Sequence, residues 1–233
     1  MKALILAAGK GIRMRPLTLD KPKVLIDVAG KPFLHYVIEN LMKAGFDDFG
    51  FIVGYKKEKI EDFLKKEKIK YKLIFQEEQL GTGHAVMLAK NWVGKDNFVV
   101  IYGDNLYSNK DISKLDMRDK YNYMFGIRDE HPERYGVIIK KSGFLVKIVE
   151  KPKDFVSDLV NTGLYKFTPE VFDKLLKVGK STRGEIELTD AISLLAEEKK
   201  VKVLEVGGYW KEMSTLEDLE KTEKFILEGN YLD

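Results

Sequence analysis

The chain contains no cysteine. That excludes disulfides, thiolate nucleophiles and zinc sites of the cysteine type, and leaves carboxylates as the natural metal ligands. Glutamine is almost as scarce, occurring only as Gln76 and Gln79. No apolar run approaches the ~18 residues of a membrane span. The N-terminus offers one basic residue, Lys2, before a short apolar segment, without the cleavage pattern of a signal peptide. Charge of one sign is also lacking. The 40 basic and 37 acidic residues leave a net charge of +3 and are spread along the chain, which argues against a nucleic-acid surface. Linkers, low-complexity tracts and internal repeats are absent. These absences point to a soluble cytoplasmic protein with no membrane or nucleic-acid partner.

What is present fits one globular domain. At 233 residues, with 44% hydrophobic and 33% charged, the chain can bury a sizeable core. Lysine greatly outnumbers arginine, and abundant Lys and Glu with few thermolabile residues is a compositional hint of a thermophilic source.

The first half alternates strands and helices. An apolar run from Lys2 to Leu6 reads as a buried strand delivering its carboxyl end to Ala7-Ala8-Gly9. The spacing of Leu34, Val37, Ile38, Leu41 and Met42 predicts a helix over 33–43, with Pro32 at its start and Gly45 beyond its end. Strands are expected over 49–53, 72–75 and 98–102, with helices over about 58–66 and 83–91 between them. Such alternation implies an α/β domain around a mainly parallel sheet whose ligands sit beyond the carboxyl ends of the strands. Gly9 and Asp104 follow two such ends. From Tyr121 the pattern becomes β-rich, with strands over 123–127, 136–139, 144–149 and 164–167. Helices return over 169–177, 188–199 and 216–227, and Thr189 or Asp190 can support the first-turn N–H groups of the middle one.

The loop after the first strand carries Gly9, Gly11, Arg13, Arg15, Pro16, Pro22 and Lys23. It begins like the dinucleotide fingerprint but has Met14 where the third glycine belongs, and its prolines oppose a long helix directly afterwards. No G-K-[ST] of a P-loop is present. What remains is a glycine turn whose amides can approach phosphates, followed by cations from an extended segment: Arg13 as a planar fork and Lys23 as a point charge. The plainer alternative is a simple turn flanked by solvated basic residues.

The segments L-A-A-G-K-G-I-R-M-R-P-L-T, K-P-K-V-L and A-G-K-P resemble the N-terminal signature of the sugar-1-phosphate nucleotidyltransferases, the nucleotide-sugar pyrophosphorylases. The resemblance continues through Q-E-E-Q-L-G-T-G-H-A at 76–85, Y-G-D at 102–104, Y-G-V, V-E-K-P, N-T-G-L-Y and E-L-T-D-A-I, almost to the C-terminus. It implies a Rossmann-like, glycosyltransferase-A-like fold with a mixed, mostly parallel central sheet flanked by helices and a β-rich sugar-binding portion. Residues 1–233 would form a single nucleotidyltransferase domain, with 1–120 binding nucleotide and 121–233 binding sugar. The C-terminal β-helix of bifunctional relatives is expected to be absent.

By the same resemblance, Arg13 and Lys23 are catalytic, and Leu6, Ala7, Ala8, Gly9, Gly11, Gln76, Gln79, Gly81 and Thr82 bind nucleotide. Tyr102, Tyr135, Gly136, Glu150, Lys151 and Asn161 belong to the sugar-phosphate pocket, and Asp104 with Glu212 would hold Mg2+. Apart from any family, a glutamine amide suits the mixed donor and acceptor edge of a pyrimidine, Thr82 reads as an ordinary helix N-cap, and His84 reads as structural. The late motif W-x-D-I-G-T of related enzymes stands here as Trp210-Lys211-Glu212-Met213-Ser214-Thr215, so Glu replaces Asp and Ser replaces Gly.

The reaction implied is attack of a sugar-1-phosphate on the α-phosphorus of a nucleoside triphosphate, with pyrophosphate leaving. UTP or dTTP is favoured as donor, and glucose-1-phosphate or N-acetylglucosamine-1-phosphate as acceptor. Guanylyl transfer to mannose-1-phosphate, and cytidylyl transfer, are alternatives on the same scaffold. A non-catalytic nucleotide-sugar sensor is the alternative of another class, kept open by Glu212 and Ser214. Homo-oligomers are common in the family, but no stretch of this sequence identifies an interface.

Overall fold

A computed structural model describes residues 1–231. In chain order its elements are β1 (Lys2–Ala7), β2 (Asp27–Val28), β3 (Lys31–Pro32), α1 (Phe33–Lys43), β4 (Asp48–Val53), α2 (Lys57–Leu64), β5 (Tyr71–Phe75), α3 (Thr82–Leu88) and α4 (Lys90–Val93). Then follow β6 (Phe98–Tyr102), β7 (Asn105–Tyr107), α5 (Asn109–Ile112), β8 (Asn122–Arg128), β9 (Gly136–Lys141), β10 (Phe144–Glu150) and β11 (Leu159–Phe167). The chain closes with α6 (Val171–Leu175), α7 (Leu188–Glu197), β12 (Val201–Glu205), β13 (Trp210–Glu212) and α8 (Leu216–Leu227). Its contacts group into two compact units. The first comprises 1–79, 101–115 and the residues from Gly208 onward, the second 80–100 and 116–207.

In the first unit β4 lies between β1 and β5, all parallel, with Ala7 level with Val53 and Val53 level with Phe75. The matched register brings the three carboxyl ends to one height, so Ala8-Gly9, Gly54-Tyr55 and Gln76-Glu77 emerge side by side. β1 and β4 are apolar and almost wholly buried, as strands covered on both faces must be. The Gly103 N–H donates to the Leu6 carbonyl at 2.9 Å, which fixes the segment after β6 beside the end of β1. A Cβ at Gly103 would lie 3.0 Å from Val24 and 3.2 Å from both Ile5 and the Leu6 carbonyl oxygen, so any side chain there would press on this approach.

α1 matches the expected range. It buries Phe33, Leu34, Val37, Ile38 and Leu41. Its end is closed when Gly45 and Phe46 donate their N–H groups to the Met42 and Leu41 carbonyls, a Schellman arrangement. α8 also matches, and Thr215 and Asp218 form a reciprocal capping box at its start.

In the second unit β8 is central, antiparallel to β11 and parallel to β12, while β9 and β10 form an antiparallel pair around the turn at Ser142-Gly143. Phe98 stacks on Phe172, their centroids 5.6 Å apart, which ties the start of β6 to α6. β11 begins at Leu159, five residues before the expected start, because the register breaks between Asn161 and Tyr165 and the interrupted half lacks a clean alternation. The expected helix over 83–91 is two helices meeting at Ala89, and that over 169–177 is helical only at Val171–Leu175. β12, β7 and β13 were not expected, the last two being only three residues long.

Two capping expectations are corrected. Thr82 is the first residue of α3, which is capped by Gly81 without a side-chain bond. Its hydroxyl instead accepts from the Leu188 N–H at 3.1 Å, doing at α7 the work expected of Thr189 or Asp190. The physical reason is proximity: Ile186 bonds both to Leu80 and to Gly83, so the two helix starts lie together.

The second unit also buries one cation completely. The Lys166 ammonium donates to the Asp119 carboxylate at 2.9 Å and to the backbone carbonyls of Asp119 (2.8 Å) and Tyr121 (2.6 Å). Burial pushes its pKa down against the pull of Asp119. Replacing Lys166 by Met strands these acceptors. The expected loss is about 3 kcal/mol, the lower end for a broken buried pair because Asp119 keeps Tyr123 and Lys202 as partners. It will read out as a lowered urea midpoint with little change in the slope.

Candidate active site

The segment after the glycine turn is not extended, as expected, but folded into two short 3-10 turns at Ile12–Met14 and Lys23–Leu25, with no long helix directly after β1. Arg13 lies in the first and Lys23 opens the second. Gly11 adopts φ +61°, and a Cβ there would lie 2.9 Å from Lys23 Cβ and 3.0 Å from Thr18 Cγ2, so the turn depends on glycine twice over. The Thr18 hydroxyl donates to the Gly11 carbonyl at 2.9 Å. The Tyr55 hydroxyl reaches the carbonyls of Thr18 (3.0 Å) and Leu19 (2.8 Å). Met14, wholly buried, anchors the loop from beneath.

The carboxylates arrive from the other side. Asp104 follows Gly103, and β7 then pairs with β13 so that Glu212 faces Asn105 across the ladder. The Met213 N–H donates to the Asp104 carbonyl at 2.9 Å, making Asp104 and Glu212 near neighbours. The Lys23 ammonium is ion-paired with the Asp104 carboxylate. Arg13 donates to the Ser214 hydroxyl at 3.3 Å, and Ser214 in turn donates to the Glu212 carboxylate. Lys10, Gly11, Arg13, Lys23, Gln79 and Ser214 line a cleft of about 290 Å³.

A second cleft of about 310 Å³ opens beside it, walled by Lys10, Gly54, Tyr55, Gln76, Glu77 and Gln79. Gln79 donates to the Ala8 carbonyl at 2.8 Å, and Gln76 is buried. Leu6, Ala7, Ala8, Gly9, Gly11, Gln76 and Gln79 thus belong to the first unit together with Arg13, Lys23, Asp104 and Glu212. Tyr102, at the end of β6, is also there.

The remaining candidates belong to the second unit. Gly81 packs its backbone against Glu185 and Ile186, and the Thr82 hydroxyl serves Leu188. Glu150 faces Gly136 across the β10–β9 pair, and the Lys151 N–H donates to the Tyr135 carbonyl at 3.0 Å. A Cβ at Gly136 would lie 3.0 Å from a Glu150 carboxylate oxygen and 3.9 Å from Asn161 Cβ, so these three converge. Asn161 sits where β11 breaks register and donates to the Tyr165 hydroxyl at 2.6 Å.

The arrangement of the first unit offers cations beside a glycine turn, two hard oxygen ligands, and an amide-lined recess. A model of the nucleotidyl transferase family matches residues 2–229. The chain belongs to that family. Among curated relatives, the bifunctional protein GlmU of Methanocaldococcus jannaschii is 40% identical over 230 residues, covering 98% of this chain and 55% of the relative. A bifunctional sugar-1-phosphate nucleotidylyltransferase/acetyltransferase of Sulfurisphaera tokodaii is 37% identical over 98% of this chain and 56% of its own length. The chain therefore spans about half the length of these relatives. Among solved structures, a UDP-glucose pyrophosphorylase complexed with UDP-glucose superposes with a TM-score of 0.88 at 26% identity, covering 98% of each chain. A Bacillus anthracis protein assigned as a glucose-1-phosphate thymidylyltransferase gives the same TM-score at 27% identity, covering 97% of this chain and 94% of that one. The fold is thus the Rossmann-like α/β architecture of nucleotidyl transferases, a family that generally uses divalent metal ions. No described helix is long and apolar enough to cross a membrane.

Sequence reasoning missed Lys10, Tyr55, Gly103 and Ser214. Gly103 and Lys10 lie inside motifs already marked, so their places were visible though their roles were not. Ser214 was visible only as a departure from a family motif. Tyr55 carries no local signal at all, since it acts on a segment some 36 residues earlier in the chain. Tyr55→Phe removes a hydroxyl whose single proton is shared between two loop carbonyls. Overall stability should fall by about 1 kcal/mol, typical of a hydrogen-bond deletion. Limited proteolysis is expected to show a disproportionate gain in cleavage within residues 9–22.

Proposed function

We propose that this chain transfers a nucleotidyl group from a nucleoside triphosphate, UTP or dTTP, to a sugar-1-phosphate, with Mg2+ as the metal. Glucose-1-phosphate and N-acetylglucosamine-1-phosphate are the acceptors considered. The observation that carries the reading is the convergence of Arg13, Lys23, Asp104 and Glu212 on one glycine turn, next to a recess holding the only two glutamines of the chain.

The acceptor phosphate oxygen forms a bond to the α-phosphorus. The bond from that phosphorus to the bridging oxygen breaks, and pyrophosphate departs with the electron pair. No protein nucleophile or proton relay is required, so the chain contributes positioning and charge. Arg13 and the amides of the glycine turn hold the terminal phosphates as a planar fork and a backbone cradle. Lys23, released from Asp104 by the incoming phosphates, neutralises the α-phosphate. Gln76 and Gln79 present amides to the pyrimidine edge. In the second unit Glu150 accepts from sugar hydroxyls, Asn161 does donor and acceptor work, and Lys151 meets the acceptor phosphate.

The carboxylates of Asp104 and Glu212 suit Mg2+, which takes one or two protein carboxylates and completes its shell with water and substrate phosphates. When bound, the ion withdraws charge from the phosphate oxygens.

A pyrophosphate-release assay over a matrix of nucleoside triphosphates and phosphorylated sugars tests the reading. Release is expected with a pyrimidine donor. Chelation by EDTA should abolish it, and Mg2+ restore it. Arg13→Ala and Lys23→Ala are each expected to lower turnover by about 10²–10³-fold, as for other lost charge-stabilising donors, while the variants remain folded. Tight nucleotide-sugar binding without release in every combination would turn the reading into that of a sensor.

A further inference from the structure

Both carboxylates of the first unit are engaged by side chains of the glycine loop and of Ser214, but by different means. Asp104 is held directly by Lys23. Glu212 is reached by Arg13 only through Ser214, whose one hydroxyl accepts from the guanidinium and donates to the carboxylate. A serine hydroxyl can do both at once because it carries one donor proton and two acceptor lone pairs. Its own position is fixed from several sides. Ser214 is 5% exposed. Its N–H donates to the Asp218 carboxylate at 3.0 Å within the capped start of α8, and the preceding Met213 N–H is tied to the Asp104 carbonyl. The hydroxyl is therefore a fixed point between a flexible guanidinium and a long, flexible glutamate.

We propose that Ser214 is a positioning residue that couples the phosphate-binding Arg13 to the metal-binding Glu212. The inference rests on the roles given above to those two residues. A glutamate has one more rotatable bond than an aspartate, and the Ser214 hydroxyl removes that freedom by pinning one carboxylate oxygen. When a triphosphate draws Arg13 onto its terminal phosphates, the serine keeps its bond to Glu212 and holds the carboxylate oriented for the cation that accompanies the nucleotide. Nucleotide and metal binding become linked through one hydroxyl, and the linkage is reciprocal. Ser214 touches neither the reacting phosphorus nor the leaving group.

The test uses the whole chain and measures Mn2+ binding by electron paramagnetic resonance, with and without a non-hydrolysable nucleoside triphosphate analogue. In the wild type, the analogue should tighten Mn2+ binding. Ser214→Ala is expected to weaken Mn2+ binding in the presence of the analogue by about 10–100-fold, the usual cost of losing a partner that orients a metal ligand. It should lower kcat far more than it raises the KM of the sugar phosphate. Glu212→Asp withdraws the carboxylate from the serine, so in that background Ser214→Ala should have little further effect on Mn2+ binding. Equal losses from Ser214→Ala in both backgrounds, or a fall in melting midpoint with unchanged Mn2+ binding, would overturn the coupling role while leaving the proposed reaction intact. A wild type whose Mn2+ binding ignores the analogue would overturn the coupling and the metal assignment together.

Discussion

The site hangs on one backbone hydrogen bond, from the Gly103 N–H to the Leu6 carbonyl. It carries the pairing of β1 with β6 past the end of the strand. Leu6 lies just before the loop bearing Arg13 and Lys23, and Gly103 lies just before Asp104 and the β7 strand that receives β13. Without that approach the cations would have no carboxylates beside them. The bond is available because Gly103 has no side chain to collide with Val24, Ile5 or the Leu6 carbonyl. The tripeptide Tyr102-Gly103-Asp104 therefore has two duties, with the glycine admitting the strand end and the aspartate using the place so gained.

Around that contact the charges are arranged to neutralise one another. Lys23 pairs with Asp104, and Arg13 meets Glu212 through Ser214. A partly buried cluster of like charges would be costly, and mutual pairing lets the loop fold with its basic residues close together.

Much of this was legible in the sequence, for identifiable reasons. α1 and β6 coincide with their expected ranges because long apolar patterns with terminal Pro or Gly signals leave little choice. The parallel character of the first unit followed from strands alternating with helices, with β1 reading as an apolar, buried run. The nearness of Asp104 to Glu212 was legible only through family motifs, because the strands that join them are three residues each and carry no periodic signal. Local reasoning failed where a side chain serves a distant partner. Thr82 looks like a cap for its own helix and instead caps α7, a connection made by tertiary packing at Ile186. Ser214 shows the same limit: its type could be read, but the residues it would join could not.

The grip of Tyr55 on the loop has a consequence for how this segment can vary. Tyr55 holds the carbonyls of Thr18 and Leu19, groups that every amino acid possesses. The side chains of Leu17 and Leu19 are 41% and 50% exposed and take no part in that hold. The outer arc of the loop is thus held without the side chains of Leu17 and Leu19, whose identity is free to drift. The fixed letters are those whose atoms are used: Gly11 for its turn, Met14 for its burial, Thr18 for its hydroxyl. A loop held in this way can acquire a new outer face, and with it new neighbours, without disturbing where Arg13 and Lys23 point.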